Sequence, residues 1–191
     1  RVSVEKFAAG IIFFVRGLGK KVLFANTIGA VYTEISAGDI TKASVMTSWI
    51  GIIAYTLQIY FDFSGYSDMA VGLGKMFGFN FCKNFDLPYT ATSITDFWRR
   101  WHISLSSWFR DYVYIPLGGN RVSKPRHMLN ILIVWSLTGL WHGAAWNFVA
   151  WGAFYGILLL LEKYLFKNII EKTPMLLRHI ITLVVVMLGC S

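Results

Sequence analysis

The stretch ILIVWSLTGLWHGAAWNFVAWGAFYGILLLL, residues 131–161, decides the fold, because its 31 residues contain no Asp, Glu, Lys or Arg. As one straight helix it would be about 46 Å long, well beyond the roughly 30 Å hydrocarbon core of a bilayer. Two helices that join near 143–147, where Gly143 and Asn147 interrupt the apolar pattern, fit the stretch better. It therefore predicts a helical hairpin with spans over 129–146 and 147–162.

A second apolar stretch, Ala43–Phe61, holds 19 uncharged residues between Lys42 and Asp62. This is about the length that a helix needs to cross a bilayer, and we predict a span over 43–66. Shorter apolar stretches lie at 7–15, 22–32 and 180–191. The first two predict re-entrant or interfacial segments and the third the start of a further span. The predicted fold class is all-α, a polytopic transmembrane helical bundle with re-entrant and interfacial helices.

Composition agrees with a membrane environment. The chain is 55% hydrophobic and only 15% charged, against about 25% charged in soluble domains, and its mean hydropathy is +0.53. Because the chain begins at Arg1 without Met and ends inside an apolar stretch, we expect residues 1–191 to be one membrane-embedded domain, truncated at both ends. Cys82 and Cys190 have no spaced Cys or His partners, so neither a disulfide framework nor a metal site is predicted.

The net charge of +8 is distributed between the apolar stretches. Residues 75–128 hold eight Lys or Arg against three Asp, and residues 163–178 hold four against one Glu, whereas 33–42 is poor in bases. Basic loops collect on the cytoplasmic side, so this pattern places 75–128 and 163–178 inside and 33–42 outside. The absence of a basic run or an RNA-binding motif from the sequence argues against nucleic acid.

The segment after residue 92 predicts one amphipathic helix in the membrane interface. Ser93 to Asp96 resembles a capping box at a helix N-terminus. Aromatic and apolar residues then follow at helical spacing, at Trp98, Trp101, Leu105, Trp108 and Tyr112. This stripe is typical of an interfacial helix, which Pro116 and Gly118 would end.

His142 is the first candidate catalytic residue. It lies twelve residues into its predicted span, about 18 Å along a helix and near the membrane midplane. Burial there disfavours the charged imidazole, and a neutral His can act as general base for a hydroxyl that attacks a thioester. The alternative is a His that only forms a packing hydrogen bond.

Other polar residues allow two interpretations each. His102 could orient substrate or polarise a thioester carbonyl, or it could lie on a polar helix face. Arg99, Arg100 and Arg110 could bind coenzyme A phosphates or, equally, lipid head groups. Asp62 and Asp68 are expected to form structural salt bridges with an Arg of the 99–110 helix, and Gly65 between them could break their helix.

Five motifs resemble the membrane-bound O-acyltransferase family, most closely its alginate O-acetyltransferase-like branch. They are QIYFDFSGYSDMA (Gln58–Ala70), SITDFWRRWHISLS (Ser93–Ser106), WFRDY (Trp108–Tyr112), YIPLGGNR (Tyr114–Arg121) and LTGLWHGA (Leu137–Ala144). The D-alanyl transfer protein of teichoic acid modification resembles the chain more distantly. The resemblance covers about residues 7–165.

The resemblance implies a multi-helix bundle in which a cytoplasmic acyl donor and an extracytoplasmic acceptor meet near the midplane. His142 matches the family's catalytic His and His102 its second active-site His. We add Arg99, Arg100, Arg110, Trp141 and Asp96 as candidate donor-binding residues. The resemblance further implies a multi-pass protein of the bacterial inner membrane that contacts lipid, with acetyl-CoA as donor substrate and no bound cofactor. Its acceptor would be a polysaccharide, reached directly or through a periplasmic acetyltransferase partner.

Three alternatives remain open from the sequence. The first is transfer of D-alanyl or another acyl group to a cell-wall polymer. A proton-coupled transporter is the second, since a buried His and broken glycine-rich helices also suit a carrier, although the sequence shows no paired repeats. The third is a structural membrane scaffold, which the two His disfavour.

Overall fold

The computed structural model describes residues 3–39 and 42–190, except for the side chain of Cys190. Over these ranges the chain is helical and forms no β-strand, which confirms the all-α prediction. It folds into two compact units, one within the first 84 residues and one over Phe85–Gly189.

The first unit consists of two long helical stretches. Helix α1 (Val4–Gly19) continues through a π-helical segment (Lys20–Ala25) into α2 (Asn26–Ser36), and all three pack against α3 (Val45–Met76). The apolar stretches 7–15 and 22–32 were predicted as separate re-entrant or interfacial segments. That separation is wrong, because the chain between them is helical as well. Lys20 and Lys21, which lie in this connecting part, form salt bridges with α3.

Gly65 does not break α3, which is continuous from Val45 to Met76. A Cβ at Gly65 would lie 2.7 Å from the backbone oxygen of Gly17, and one at Gly10 would lie 2.7 Å from the oxygen of Gly72. These glycines therefore let the backbones of α1 and α3 approach closely, as small residues do between packed helices.

The carboxylates of α3 pair with the π-helical segment. Asp68 accepts a hydrogen bond from Lys20 at 2.6 Å, and Asp62 is paired with Lys21. The predicted salt bridges to an Arg of residues 99–110 are therefore wrong, because α3 packs against α1 and places both Asp beside the nearer lysines.

The second unit is built on a hairpin of α6 (Lys124–His142) and α7 (Trp146–Tyr164). The chain leaves the helix at Gly143 and re-enters it at Trp146, which confirms the predicted break within residues 131–161. A Cβ at Gly139 would meet the backbone oxygen of Phe148, so the two helices are in close contact where Gly139 lies. The unit also contains the short helices α4 (Ile94–Arg100), α5 (Ile103–Phe109) and α8 (Lys167–Lys172), and the longer α9 (Met175–Cys190).

The predicted single interfacial helix over this region is wrong. The helix ends at Arg100, His102 adopts a left-handed backbone conformation (φ 46°), and α5 is followed by a π-helical segment at Arg110–Tyr114. The expected cap is present, since Ser93 Oγ accepts a hydrogen bond from the backbone N–H of Asp96 at 3.0 Å. Trp98 packs inward against α6 and α7, and its ring centroid lies 4.8 Å from those of both Trp135 and Tyr155.

None of the helices within residues 3–39 and 42–190 combines the length and the apolarity that crossing a membrane requires. The transmembrane part of the predicted fold class therefore stays a prediction. Cys82 is a free, exposed thiol, and the side chain of Cys190 lies outside the described part of the chain.

Candidate active site

A cavity of about 970 Å³ lies within the second unit and brings together both candidate histidines. Its walls come from α4, α5, the π-helical segment at Arg110–Tyr114, α6, α7 and α8. Among the predicted site residues, His102, His142, Arg99 and Arg110 line it. Arg99 and His142, which lie 43 positions apart in the sequence, therefore line the same cavity.

His142 is the last residue of α6, where the chain turns towards α7. Its ring packs edge-on against Trp151, with 5.2 Å between ring centroids, and against Trp141 at 5.0 Å. The residue is exposed in the described chain and lines the cavity. An imidazole in this position is oriented by aromatic rings and accessible to a reactant.

His102 connects α4 and α5 in its left-handed conformation. Its ring centroid lies 5.9 Å from that of Trp141, and its Nδ1 lies 3.3 Å from the hydroxyl of Ser104. Burial, together with the smaller effect of the nearby His142, lowers the pKa of His102 to about 4. His102 is thus a neutral imidazole near pH 7, able to donate one hydrogen bond and accept another.

The remaining predicted donor-binding residues occupy different environments. Arg110 lines the cavity but pairs with both carboxylate oxygens of Asp111, at 2.8 and 3.2 Å. Arg100 is bound to Asp96 at 2.8 Å, within α4 and away from the cavity lining. Trp141 is 56% exposed and also lies outside the lining. Arg99 lines the cavity and, unlike Arg100 and Arg110, forms no ion pair with a carboxylate within the described residues.

Sequence reasoning missed a polar cluster around the buried His127, of which all members except Tyr164 line the same cavity. We call it the His127 cluster. It consists of Tyr114, Asn120, His127, Lys163 and Tyr164. His127 Nε2 lies 2.8 Å from the Tyr114 hydroxyl, 2.9 Å from Asn120 Oδ1 and 2.9 Å from Lys163 Nζ, and its Nδ1 lies 2.9 Å from the Tyr164 hydroxyl. These residues come from three separate segments, so no local motif could reveal them.

Glu162 is a second residue that the sequence did not single out. Its two carboxylate oxygens accept hydrogen bonds from the backbone N–H groups of Ile94, at 2.7 Å, and Thr95, at 3.1 Å. These donors lie in the first turn of α4 and would otherwise lack partners. Glu162 therefore fixes on α7 the helix that leads to Arg99 and His102.

The described residues contain no group of three His, Cys, Asp or Glu that could hold a metal ion. What the cavity offers is two imidazoles beside Arg99. A neutral imidazole can take a proton from a hydroxyl, and a second can donate a hydrogen bond to a carbonyl oxygen. Fold and site together define an all-helical protein with a cavity suited to general acid–base chemistry.

The chain belongs to the membrane-bound O-acyltransferase family, whose model matches residues 3–189. It is 46% identical over 187 residues to the protein named "Probable alginate O-acetylase AlgI" of Azotobacter vinelandii, an alignment that covers 98% of this chain and 37% of that protein. The chain thus spans little more than a third of this relative's length.

Relatives with other names are also similar. The peptidoglycan O-acetyltransferase of Helicobacter pylori is 42% identical over 162 residues, covering 85% of this chain and 31% of that protein. The teichoic acid D-alanyltransferase of Streptococcus thermophilus is 39% identical over 119 residues, covering 56% of this chain and 28% of that protein.

Proposed function

We propose that the chain carries the acyl-transfer site of a multi-pass enzyme of the bacterial inner membrane. The enzyme moves an acetyl group from a cytoplasmic thioester donor, acetyl-CoA, towards a hydroxyl of an extracytoplasmic polysaccharide such as alginate. The transfer is direct or passes through a periplasmic partner protein. The observation that carries this proposal is that His102 and His142 line one cavity in a chain of this family.

His142 is the general base in this proposal. It takes the proton of the acceptor hydroxyl as the hydroxyl oxygen bonds to the thioester carbonyl carbon. The carbon–sulfur bond then breaks, and the proton held by His142 passes to the leaving thiolate, so that an ester and a free thiol are formed. His102, neutral near pH 7, donates its hydrogen bond to the carbonyl oxygen as negative charge develops there.

The relatives support a polymeric acceptor, since their names refer to alginate, peptidoglycan and teichoic acid. Alginate is favoured, because the alignment with the alginate O-acetylase covers nearly the whole chain whereas the D-alanyltransferase alignment covers about half. D-alanyl transfer to a cell-wall polymer is the second candidate. The donor side is the cytoplasm, because the basic segments 75–128 and 163–178 both contribute to the cavity.

The test uses membranes that contain the full-length protein and acetyl-CoA with a labelled acetyl group. We expect His142→Ala to lose at least about a hundredfold in acetyl transfer to polysaccharide, the scale of a general base. The matched control is His179→Ala, because the His179 Nδ1 contacts the Ala91 carbonyl oxygen and the residue does not line the cavity. If His142→Ala is expressed normally and retains full transfer, the general-base role is wrong.

A further inference from the structure

The far end of the cavity from His142 carries a lysine that is held in place. Lys163 Nζ lies 2.9 Å from His127 Nε2 and 3.0 Å from Asn120 Oδ1. An ammonium group can only donate, so His127 accepts through Nε2 and donates its own proton from Nδ1 to the Tyr164 hydroxyl. Tyr114 completes the His127 cluster by donating its hydroxyl proton to Asn120 Oδ1 at 2.9 Å.

The cluster prepares Lys163 to bind an anion. Two of its three N–H groups point to His127 and Asn120, and the third is left for the cavity that Lys163 lines. His127 is only 3% exposed and is a neutral acceptor, so it holds the ammonium without cancelling its charge. Burial lowers the pKa of Lys163, and a bound anion would oppose that shift by stabilising the charged form.

Carboxylates near this end of the cavity are already engaged. Glu162 accepts two backbone N–H groups of α4, and Glu171 lies 4.0 Å from Lys167. Neither forms an ion pair with Lys163 in the described chain. The charge at this position is therefore available to a ligand.

The distance between the two ends of the cavity is set by α6. His127 and His142 lie fifteen residues apart on this continuous helix, which corresponds to about 22 Å. An extended pantetheine chain, which separates a thioester from its phosphate, is of comparable length. A phosphopantetheine thioester whose acyl carbon lies at His142 would thus have its phosphate beside Lys163.

We propose that Lys163, positioned by His127 and Asn120, binds the phosphate of a phosphopantetheine thioester and so places the acyl carbon at His142. This donor class includes both acyl-coenzyme A and an acylated carrier protein. The inference rests on the proposed acyl-transfer function and adds to it a residue that recognises the donor.

The experiment compares three donors with the full-length protein in membranes: acetyl-CoA, acetyl-4′-phosphopantetheine and acetyl-pantetheine, which lacks the phosphate. We expect Lys163→Met to raise KM for the first two by about tenfold to a hundredfold, the range of a charge-assisted hydrogen bond, and to leave kcat/KM for acetyl-pantetheine unchanged. The control is Lys172→Met, an exposed lysine outside the cavity lining.

Within one preparation, the ratio of kcat/KM between two donors does not depend on the fraction of the variant that is folded. Equal losses with all three donors, or a loss confined to acetyl-CoA, would overturn the inference. Transfer from none of them by the unaltered protein would instead overturn the proposed function. A carrier protein bearing acetyl-phosphopantetheine identifies the source, because a kcat/KM above that of acetyl-CoA indicates a carrier protein and one below it indicates coenzyme A.

Discussion

At the scale of single residues, the two histidines differ from the polar groups around them in how visible they are in the sequence. His142 stands out because it is the one histidine in a stretch of 31 residues without Asp, Glu, Lys or Arg. His102 stands out because it directly follows two arginines and a tryptophan. His127 has no such context: it follows Arg126 in a basic segment and acquires its partners only when α6 and α7 pack together.

The pairing of charges shows the same limit. Asp62 and Asp68 were predicted to need partners, and they have them, but the partners are lysines of the π-helical segment. Sequence identifies a charge that must be neutralised, whereas only packing decides which cation reaches it. The roles of Arg99, Arg100, Arg110, Trp141 and Asp96 in donor binding stay predictions.

The lowered pKa of His102 predicts a pH dependence of stability. The folded ring has a pKa of about 4 against an ordinary value of about 6.5, so the unfolded chain binds this proton first as the pH falls. The stability that the neutral ring contributes is fully present above pH 6.5 and is lost progressively towards pH 4. We expect Tm of the solubilised full-length protein to fall by a few degrees more over this window than Tm of His102→Asn.

Asn is the matched replacement because it tolerates the left-handed backbone of position 102 and does not titrate. All other titrating groups are shared by the two proteins, so the difference between their pH curves isolates His102. Parallel curves between pH 7 and pH 4 would show that the ring is solvated and has an ordinary pKa.

At the scale of elements, the α6–α7 hairpin was predictable and the α4–α5 break was not. An uncharged stretch too long for one span, with Gly143 near its middle, indicates where two helices join. In contrast, nothing at Trp101–His102 is a helix breaker, and a non-glycine residue with positive φ is uncommon. The break follows from packing, since Trp101 is 9% exposed and lies 4.9 Å from Phe85 between ring centroids.

Glu162 is expected to control the element that carries His102. In Glu162→Gln one of the two oxygens that accept hydrogen bonds from α4 is replaced by an NH₂ group. This group cannot accept a hydrogen bond, so one backbone N–H of α4 loses its partner. We expect the free energy of unfolding to fall by about 1–3 kcal/mol, together with kcat, because α4 is less firmly held. Thermal unfolding and acetyl transfer by the full-length protein measure the two effects.

Glu171→Gln provides the comparison, since Glu171 is exposed and its contact with Lys167, at 4.0 Å, is expected to contribute no more than about 1 kcal/mol. The anchoring role is wrong if Glu162→Gln lowers the free energy of unfolding no more than Glu171→Gln does.

At the scale of the whole molecule, the long uncharged stretches 43–61 and 131–161 predicted the helical class, because their lengths suit membrane-spanning helices. The two compact units follow from contacts that no stretch of sequence displays by itself. The predicted orientation in the membrane rests on the distribution of Lys and Arg, which favours 75–128 inside and 33–42 outside. The first unit has an exposed residue in each segment: Cys82 in the predicted inner segment and Ser36 in the predicted outer segment.

This arrangement predicts which thiols can be reached from outside the cell. In a full-length protein with Cys82 as its single cysteine, a membrane-impermeant maleimide should label the thiol only after the inner membrane is permeabilised. In the paired variant, with Cys82→Ser and Ser36→Cys, labelling should occur in cells whose inner membrane is intact. Because Cys82 is exposed, failure to react before permeabilisation reflects the membrane rather than burial within the first unit. Labelling of both positions from the same side would contradict the predicted orientation, and with it the cytoplasmic origin of the thioester donor.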